Sequence, residues 1–142
     1  MNAYFDTSAI AKLVLEEPGG EAVLTAWHTL DDGFAASFGY VELRAALEHA
    51  RRDGRPAHPD PPMDTALADQ VWEQLVEVPA DAAVVAAAVL VAVDRGLRTL
   101  DVIHLASALV VKGDEPLAFV SFDRRLRAAA AAEGLVVLPT DA

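Results

Sequence analysis

The sequence predicts an α/β protein, with three layers, α/β/α, built on a central, mostly parallel sheet of four to five strands. Short apolar runs recur at Ala3 to Asp6, Phe34 to Ser37, Val76 to Val78, Leu117 to Phe122 and Leu135 to Leu138. Longer stretches with helical spacing separate them, and strands that alternate with helices form parallel sheets covered on both faces. The 142 residues, 54% of them hydrophobic, suit a single domain spanning residues 1–142. Right-handed crossovers bring the carboxyl ends of such strands to one edge. Ligands of open α/β sheets bind at that edge, near a change in strand order.

In chain order, Ala3 to Asp6 reads as a buried strand, and Thr7 with Ser8 supplies hydroxyl caps for a helix through Ala9, Ile10, Leu13 and Val14. Pro18, Gly19 and Gly20 stop it. A helix from about Glu21 to Leu30 gathers Val23, Leu24 and Trp27 on one face, and Asp31, Asp32 and Gly33 turn the chain into the strand Phe34 to Ser37. From about Tyr40 to Arg52 an amphipathic helix sets Val41, Leu43, Ala46 and Leu47 against Arg44, Glu48, Arg51 and Arg52. Pro56, Pro59, Pro61 and Pro62 exclude helix and central strand from Gly54 to Pro62, which reads as a loop. Asp64 to about Leu75 is helical, Val76 to Val78 is a short strand, and Asp81 begins a long Ala and Val helix that ends near Arg95 and Gly96. That helix is expected to be buried on most sides. Thr99 and Asp101 stand where caps are wanted for a helix through Val111. Asp123 opens another after the strand Leu117 to Phe122, and Leu135 to Leu138 closes the fold.

The chain has no cysteine, which excludes disulfides and thiolate zinc sites and suits a reducing cytoplasm. No basic leader precedes the first strand, and the longest apolar stretch, Ala82 to Val93, is too short to cross a bilayer. A soluble, cytoplasmic protein without membrane attachment is expected. Acidic residues outnumber basic ones, 22 to 11, for a net charge of −11. Taken alone this argues against a polyanionic substrate, so any nucleic acid must be gripped locally, by arginines.

The chemistry lies in the acids. Asp6 ends the first strand and Asp123 follows Leu117 to Phe122, so both emerge at the same sheet edge. Glu42 and Asp101 lie in the first turns of their helices and reach that edge if those helices run the same way. Asp6, Asp101 and Asp123 also read as plain helix caps, and Glu42 as a solvated helix position. A shared pocket of carboxylates is unfavourable unless a cation fills it, and magnesium or manganese prefers such hard oxygen donors. One or two such ions activate water against a phosphodiester. Ser8, Thr7 and Ser121 stand near Asp6 and Asp123, able to orient a ligand or to cap.

At this point the sequence resembles the PIN-domain ribonucleases, and within them the VapC-type toxins of bacterial and archaeal toxin-antitoxin pairs. The likeness runs from Tyr4 to Pro139. It is carried by Tyr4-Phe5-Asp6-Thr7-Ser8-Ala9, Val41-Glu42-Leu43, Leu100 to Ala106 and Ser121 to Leu126, in that order. The resemblance implies a PIN-like fold in which Asp6, Glu42, Asp101 and Asp123 are the acidic quartet. It makes Ser8 the hydroxyl beside the first acid and places Ser121 where Thr or Ser is usual. It also implies magnesium-dependent RNA cleavage (manganese being an alternative), homodimerisation, and inhibition by a small VapB-type antitoxin. The proline-rich segment His58 to Pro62 is longer and stiffer than the family pattern.

Other residues have simpler readings. His104 reads as a packed, hydrogen-bonded residue, His28, His49 and His58 as surface residues, and Trp27 and Trp72 as packing. Arg124, Arg125 and Arg127 follow Asp123 and are candidates to grip phosphate. Arg44, Arg51, Arg52 and Arg55 read as solvated helix faces paired with acids. A dehalogenase-type phosphatase wants an Asp where Ser8 stands, a receiver domain wants an extra acidic pair and a late-strand lysine, a slot that neither Lys12 nor Lys112 fits, and flap-type nucleases need a longer chain. The alternative from another class is a silent module that holds a basic partner through its acidic face.

Overall fold

The computed structural model describes residues 1–55 and 61–142. The chain runs β1 (Asn2–Phe5), α1 (Thr7–Val14), α2 (Gly20–Thr29), β2 (Gly33–Ala36), α3 (Gly39–Arg52) and α4 (Pro61–Glu73). It continues through β3 (Val76–Val78), α5 (Ala82–Arg95), α6 (Thr99–Lys112), β4 (Leu117–Val120), α7 (Arg124–Ala132) and β5 (Val136–Leu138). The five strands form one sheet in the order β3-β2-β1-β4-β5. Every pairing is parallel, so the mostly parallel expectation resolves to a wholly parallel sheet.

Strand periodicity divides the core in two. Ala3 and Phe5 of β1, with Ala118 and Val120 of β4, face a cluster that includes Ile10 and Val14 of α1, Leu43 and Leu47 of α3, and Trp72 of α4. Tyr4 faces the other way with Leu117 and Phe119, toward Val84 of α5, Leu105 of α6 and Leu126 of α7. The Tyr4 and Phe119 rings, opposite each other in the β1 and β4 register, stack at 5.5 Å. The chain starts in the centre, steps outward to β2 and β3, then returns to the other side of β1. The order therefore reverses between β1 and β4, and their carboxyl ends flank the crevice where such sheets take ligands.

Several local expectations are revised. Asp6, not Thr7 or Ser8, caps α1, because its extended backbone and short carboxylate reach the Ala9 N–H. Helix α6 begins after Arg98, which has extended backbone and no side-chain cap bond, so neither Thr99 nor Asp101 is a cap. Pro61 and Pro62 open α4, since a first helical turn needs no proline N–H. The rest of the proline-rich segment, with Pro56, His58 and Pro59, lies outside the described residues.

Helix α5 is not buried on most sides. Asp81 caps it and Gly96 ends it in the left-handed conformation, yet only Val84, Ala88 and Val91 are buried. Val85, Val89, Leu90 and Val93 are 52 to 82% exposed. An outer-layer helix packs one stripe inward, and an Ala and Val composition does not say which stripe. Leu24 and Val41, assigned to apolar faces, are likewise exposed. Among the described residues no helix is long and apolar enough to cross a membrane. Both edge strands, β3 and β5, span three residues and are followed directly by Pro79 and Pro139.

Candidate active site

Two helix caps anchor the site. Asp6 follows β1 and turns its carboxylate into α1, where Oδ1 accepts the Ala9 N–H at 3.0 Å and the Ser8 hydroxyl at 2.7 Å. Its Oδ2 accepts the Ser121 hydroxyl at 2.5 Å. Only 4% of Asp6 is exposed, and this burial holds its carboxyl above the ordinary range against those hydrogen bonds. Asp123 caps α7, its Oδ1 accepting the Leu126 N–H at 2.9 Å. Its other oxygen receives no protein donor among the described residues. The cap reading is correct for both acids, and it is also what delivers them to the β1 and β4 crevice.

Two serines stitch these caps together. Ser121 donates to Asp6 while its oxygen accepts the Asp123 N–H at 3.1 Å. Ser8 donates to Asp6 while accepting the Phe122 N–H at 3.1 Å. Each hydroxyl thus spans the two strand ends.

Glu42 stands in the first turn of α3, with Oε1 accepting Thr7 Oγ1 at 2.7 Å and lying 2.7 Å from His104 Nε2. Partial burial raises its carboxyl, but the His104 and Thr7 hydrogen bonds outweigh it and hold Glu42 below the ordinary range. Asp101, in the first turn of α6, keeps a quarter of its side chain exposed and faces Arg98 Nε at 3.8 Å. Burial and then the nearby charge of Asp123 push its carboxyl up, with Glu42 adding repulsion and Arg98 opposing. Asp101 is therefore a neighbour of Asp123 and Glu42, and not a solvent-facing residue on the far side.

All four acids meet at one edge, but they are not drawn in around a point. Among the described residues no group of three or more His, Cys, Asp or Glu stands close enough to hold a metal ion. The donor chemistry nonetheless fits a hard divalent cation: four carboxylates, no thiolate, and a repulsion felt at Asp101 that such an ion would relieve.

His104 is packed and hydrogen-bonded, as its place beside Leu105 suggests, with 3% exposure and Nδ1 2.8 Å from the Tyr4 hydroxyl. Its bond to Glu42 has no counterpart in the sequence reading; the available signal is its position one turn after Asp101. His28 and His49 are exposed or nearly so, Trp72 is buried and Trp27 packs on Phe5, while His58 lies outside the described residues.

The arginines separate into two groups. Arg124 and Arg125 lie at the start of α7, open to solvent, and their side chains have no protein partner among the described residues. Arg127 is withdrawn from the phosphate candidates, since its guanidinium donates to the carbonyls of Ser121, Leu138 and Pro139 at 2.6, 3.0 and 2.6 Å. Arg51, Arg52 and Arg55 pair with acids, and Arg44 donates to Tyr40. Beside Asp123 a groove is lined by Ser8, Lys12, His49, Arg55 and Phe122, with Lys12 Nζ 4.6 Å above the Phe122 ring. The contact joins residues far apart in the chain, so no local spacing in the sequence encodes it.

The PIN domain family profile matches residues 3–132. A curated relative, Ribonuclease VapC45 of Mycobacterium tuberculosis, is 36% identical over 140 residues, which cover 96% of this chain and 94% of the relative. Among solved structures, VapBC2 from Rickettsia felis, bound to a DNA fragment from their promoter, superposes with a TM-score of 0.69. It is 11% identical, over 96% of this chain and 97% of that one. PAE2754 from Pyrobaculum aerophilum gives 0.64 at 22% identity, over 97% of this chain and 84% of that one. At these identities the structures establish the fold.

If Asp123 supplies the charge that raises Asp101, Asp123→Asn will lower the Asp101 carboxyl toward its ordinary range. A carboxyl-carbon NMR titration of the metal-free protein reads this directly, and an unmoved Asp101 would place the two acids out of electrostatic reach.

Proposed function

This chain belongs to the PIN domain family, and from that footing we propose that it is a metal-dependent endoribonuclease, the toxin of a toxin-antitoxin pair. Residues 1–142 are one PIN domain, acting on RNA in the cytoplasm. The observation that carries this reading is the arrival of Asp6, Glu42, Asp101 and Asp123 at one sheet edge, with Asp6 and Asp123 joined through Ser121 and with Glu42 and Asp101 in the first turns of their helices.

Asp6, Glu42, Asp101 and Asp123 would hold magnesium, with manganese as a substitute, and such an ion would supply Lewis-acid polarisation of the phosphodiester and a water of lowered pKa. The chain's own contribution is placement. Ser8, the Ala9 N–H and Ser121 fix the Asp6 carboxylate, and Thr7 fixes one oxygen of Glu42. Asp123 spends one oxygen on its helix and keeps the other for the site. Arg124 and Arg125, free of protein partners among the described residues, grip phosphates that flank the cleaved bond.

Two partners follow. The uncharged, exposed stripe Val85, Val89, Leu90 and Val93 suits a second copy of this chain, since two chains of net charge −11 meet best where neither carries charge. The acidic edge suits a short antitoxin that presents Arg or Lys to the carboxylates.

RNA cleavage in magnesium should disappear with EDTA. It should fall by at least ~100-fold in Asp6→Asn, beyond the loss usual for a residue that only supports a ligand, with circular dichroism unchanged. Undiminished cleavage in EDTA would falsify the metal mechanism, and no cleavage under any condition would favour a silent binding module. Arg124→Ala with Arg125→Ala should weaken RNA binding and flatten its salt dependence by about 0.7 in log-log slope for each phosphate no longer gripped. Unchanged slope and affinity remove them from the substrate path. Light scattering should give two copies, reduced to one by Leu90→Glu with Val93→Glu, and an arginine-bearing antitoxin should suppress cleavage. A monomeric parent or an indifferent nuclease contradicts the corresponding partner.

A further inference from the structure

Glu42 is held by a hydrogen-bond chain that begins in the sheet. The Ala36 N–H at the end of β2 donates to the Tyr4 hydroxyl at 3.2 Å. Tyr4, on β1, lies 2.8 Å from Nδ1 of His104, on α6, and the other ring nitrogen of His104 lies 2.7 Å from Glu42 Oε1, on α3. Four elements meet along this one line. Tyr4 is fully buried and His104 nearly so, with the His104 ring also packed 4.8 Å from Phe38.

The partners along this line show where a proton is required. An amide N–H can only donate, so Ala36 takes a lone pair of the Tyr4 oxygen. The buried Tyr4 hydroxyl then needs an acceptor for its own proton. His104 Nδ1, at 2.8 Å, and the nearby Ser107 hydroxyl, which gives its own proton to the Ile103 carbonyl at 2.7 Å, are the groups that can take it. Glu42 Oε1, a carboxylate oxygen 2.7 Å from Nε2, can only accept, so Nε2 of His104 carries a proton and donates it there. With Thr7 donating to the same atom, Oε1 of Glu42 receives two donors, while Oε2 receives none among the described residues.

From this we infer that Tyr4 and His104 are positioning residues, which saturate Oε1 of Glu42 so that Oε2 is the oxygen presented to the divalent cation. The inference rests on the reading of Glu42 as a cation ligand. It explains why a buried tyrosine and histidine sit behind a helical carboxylate that a core of hydrocarbon could support equally well by packing alone. Neither residue touches substrate. Their effect is on which carboxylate oxygen, and which rotamer, meets the ion.

The test is Mn2+ binding to the metal-free full chain by titration calorimetry, comparing the parent with Glu42→Gln, His104→Leu, His104→Gln and Tyr4→Phe. His104→Leu should weaken Mn2+ by about 10- to 100-fold, the usual cost of removing a group that orients a ligand. His104→Gln, which keeps a donor toward Glu42, should recover most of that loss, and Tyr4→Phe should show a smaller loss. A merely structural role would lower the melting temperature of these variants without moving the affinity of the folded protein. If Glu42→Gln weakens Mn2+ while His104→Leu and Tyr4→Phe bind like the parent, the positioning role is wrong and the site stands. If Glu42→Gln itself binds like the parent, the site reading falls and takes this inference with it. Nitrogen NMR of His104 in the unsubstituted, metal-free protein gives a readout that needs no variant to fold. The proton is expected on Nε2, and an Nε2 without one overturns the inference.

Discussion

The buried carboxylate of Asp6 is the constraint from which the rest of the site follows. An ionised carboxylate at 4% exposure is tolerable only if donors surround it, and here three do. The helix α1 supplies one from its own backbone. The other two are the hydroxyls of Ser8 and Ser121, and Ser121 reaches Asp6 because β1 and β4 pair in parallel with Phe5 beside Val120. A slip of one residue in that register would turn Ser121 to the opposite face and leave Asp6 short of a donor. The same hydroxyls take the N–H groups of Phe122 and Asp123, so satisfying Asp6 also places Asp123.

Acidity on this scale gives the molecule a division of labour between its long-range and short-range charge. At a distance, a net charge of −11 repels RNA and attracts basic protein. Around Asp123 cations are mixed with the acids, with Lys12 over Phe122, Arg55 and Glu17 in the same groove and Arg124 and Arg125 at the next helix start. Lys12 and Arg55 both pair with Glu17, an arrangement in which one carboxylate neutralises two cations that a phosphate would otherwise meet.

The parts of this fold legible in the sequence are those set by local pattern. Apolar runs ending in Asp6 and Asp123, joined by helices, put both acids at one edge once parallel pairing is assumed. Glu42 and Asp101 follow from the same logic. What the sequence does not carry is the choice between equivalent local solutions. Asp101 reads as a cap because a helix start can shift by a residue or two without changing the apolar spacing, and the actual start at Thr99 frees its carboxylate. In α5 a helix of valines and alanines offers apolar stripes on every side, and only the packing of α6 picks Val84, Ala88 and Val91. The bond between His104 and Glu42 joins residues far apart in the chain, which no local spacing encodes.

The sheet's two margins carry a consequence for how copies of the molecule meet. An open parallel sheet exposes a row of amide and carbonyl groups on each outer strand, and neighbouring polypeptides can extend it. Here each outer strand is three residues long and halts at a proline, which has no N–H to offer an incoming ladder, and the Pro139 carbonyl is already claimed by Arg127. Fibre-like growth through the backbone therefore finds almost no template on either flank, and association is left to side chains on the helical layers.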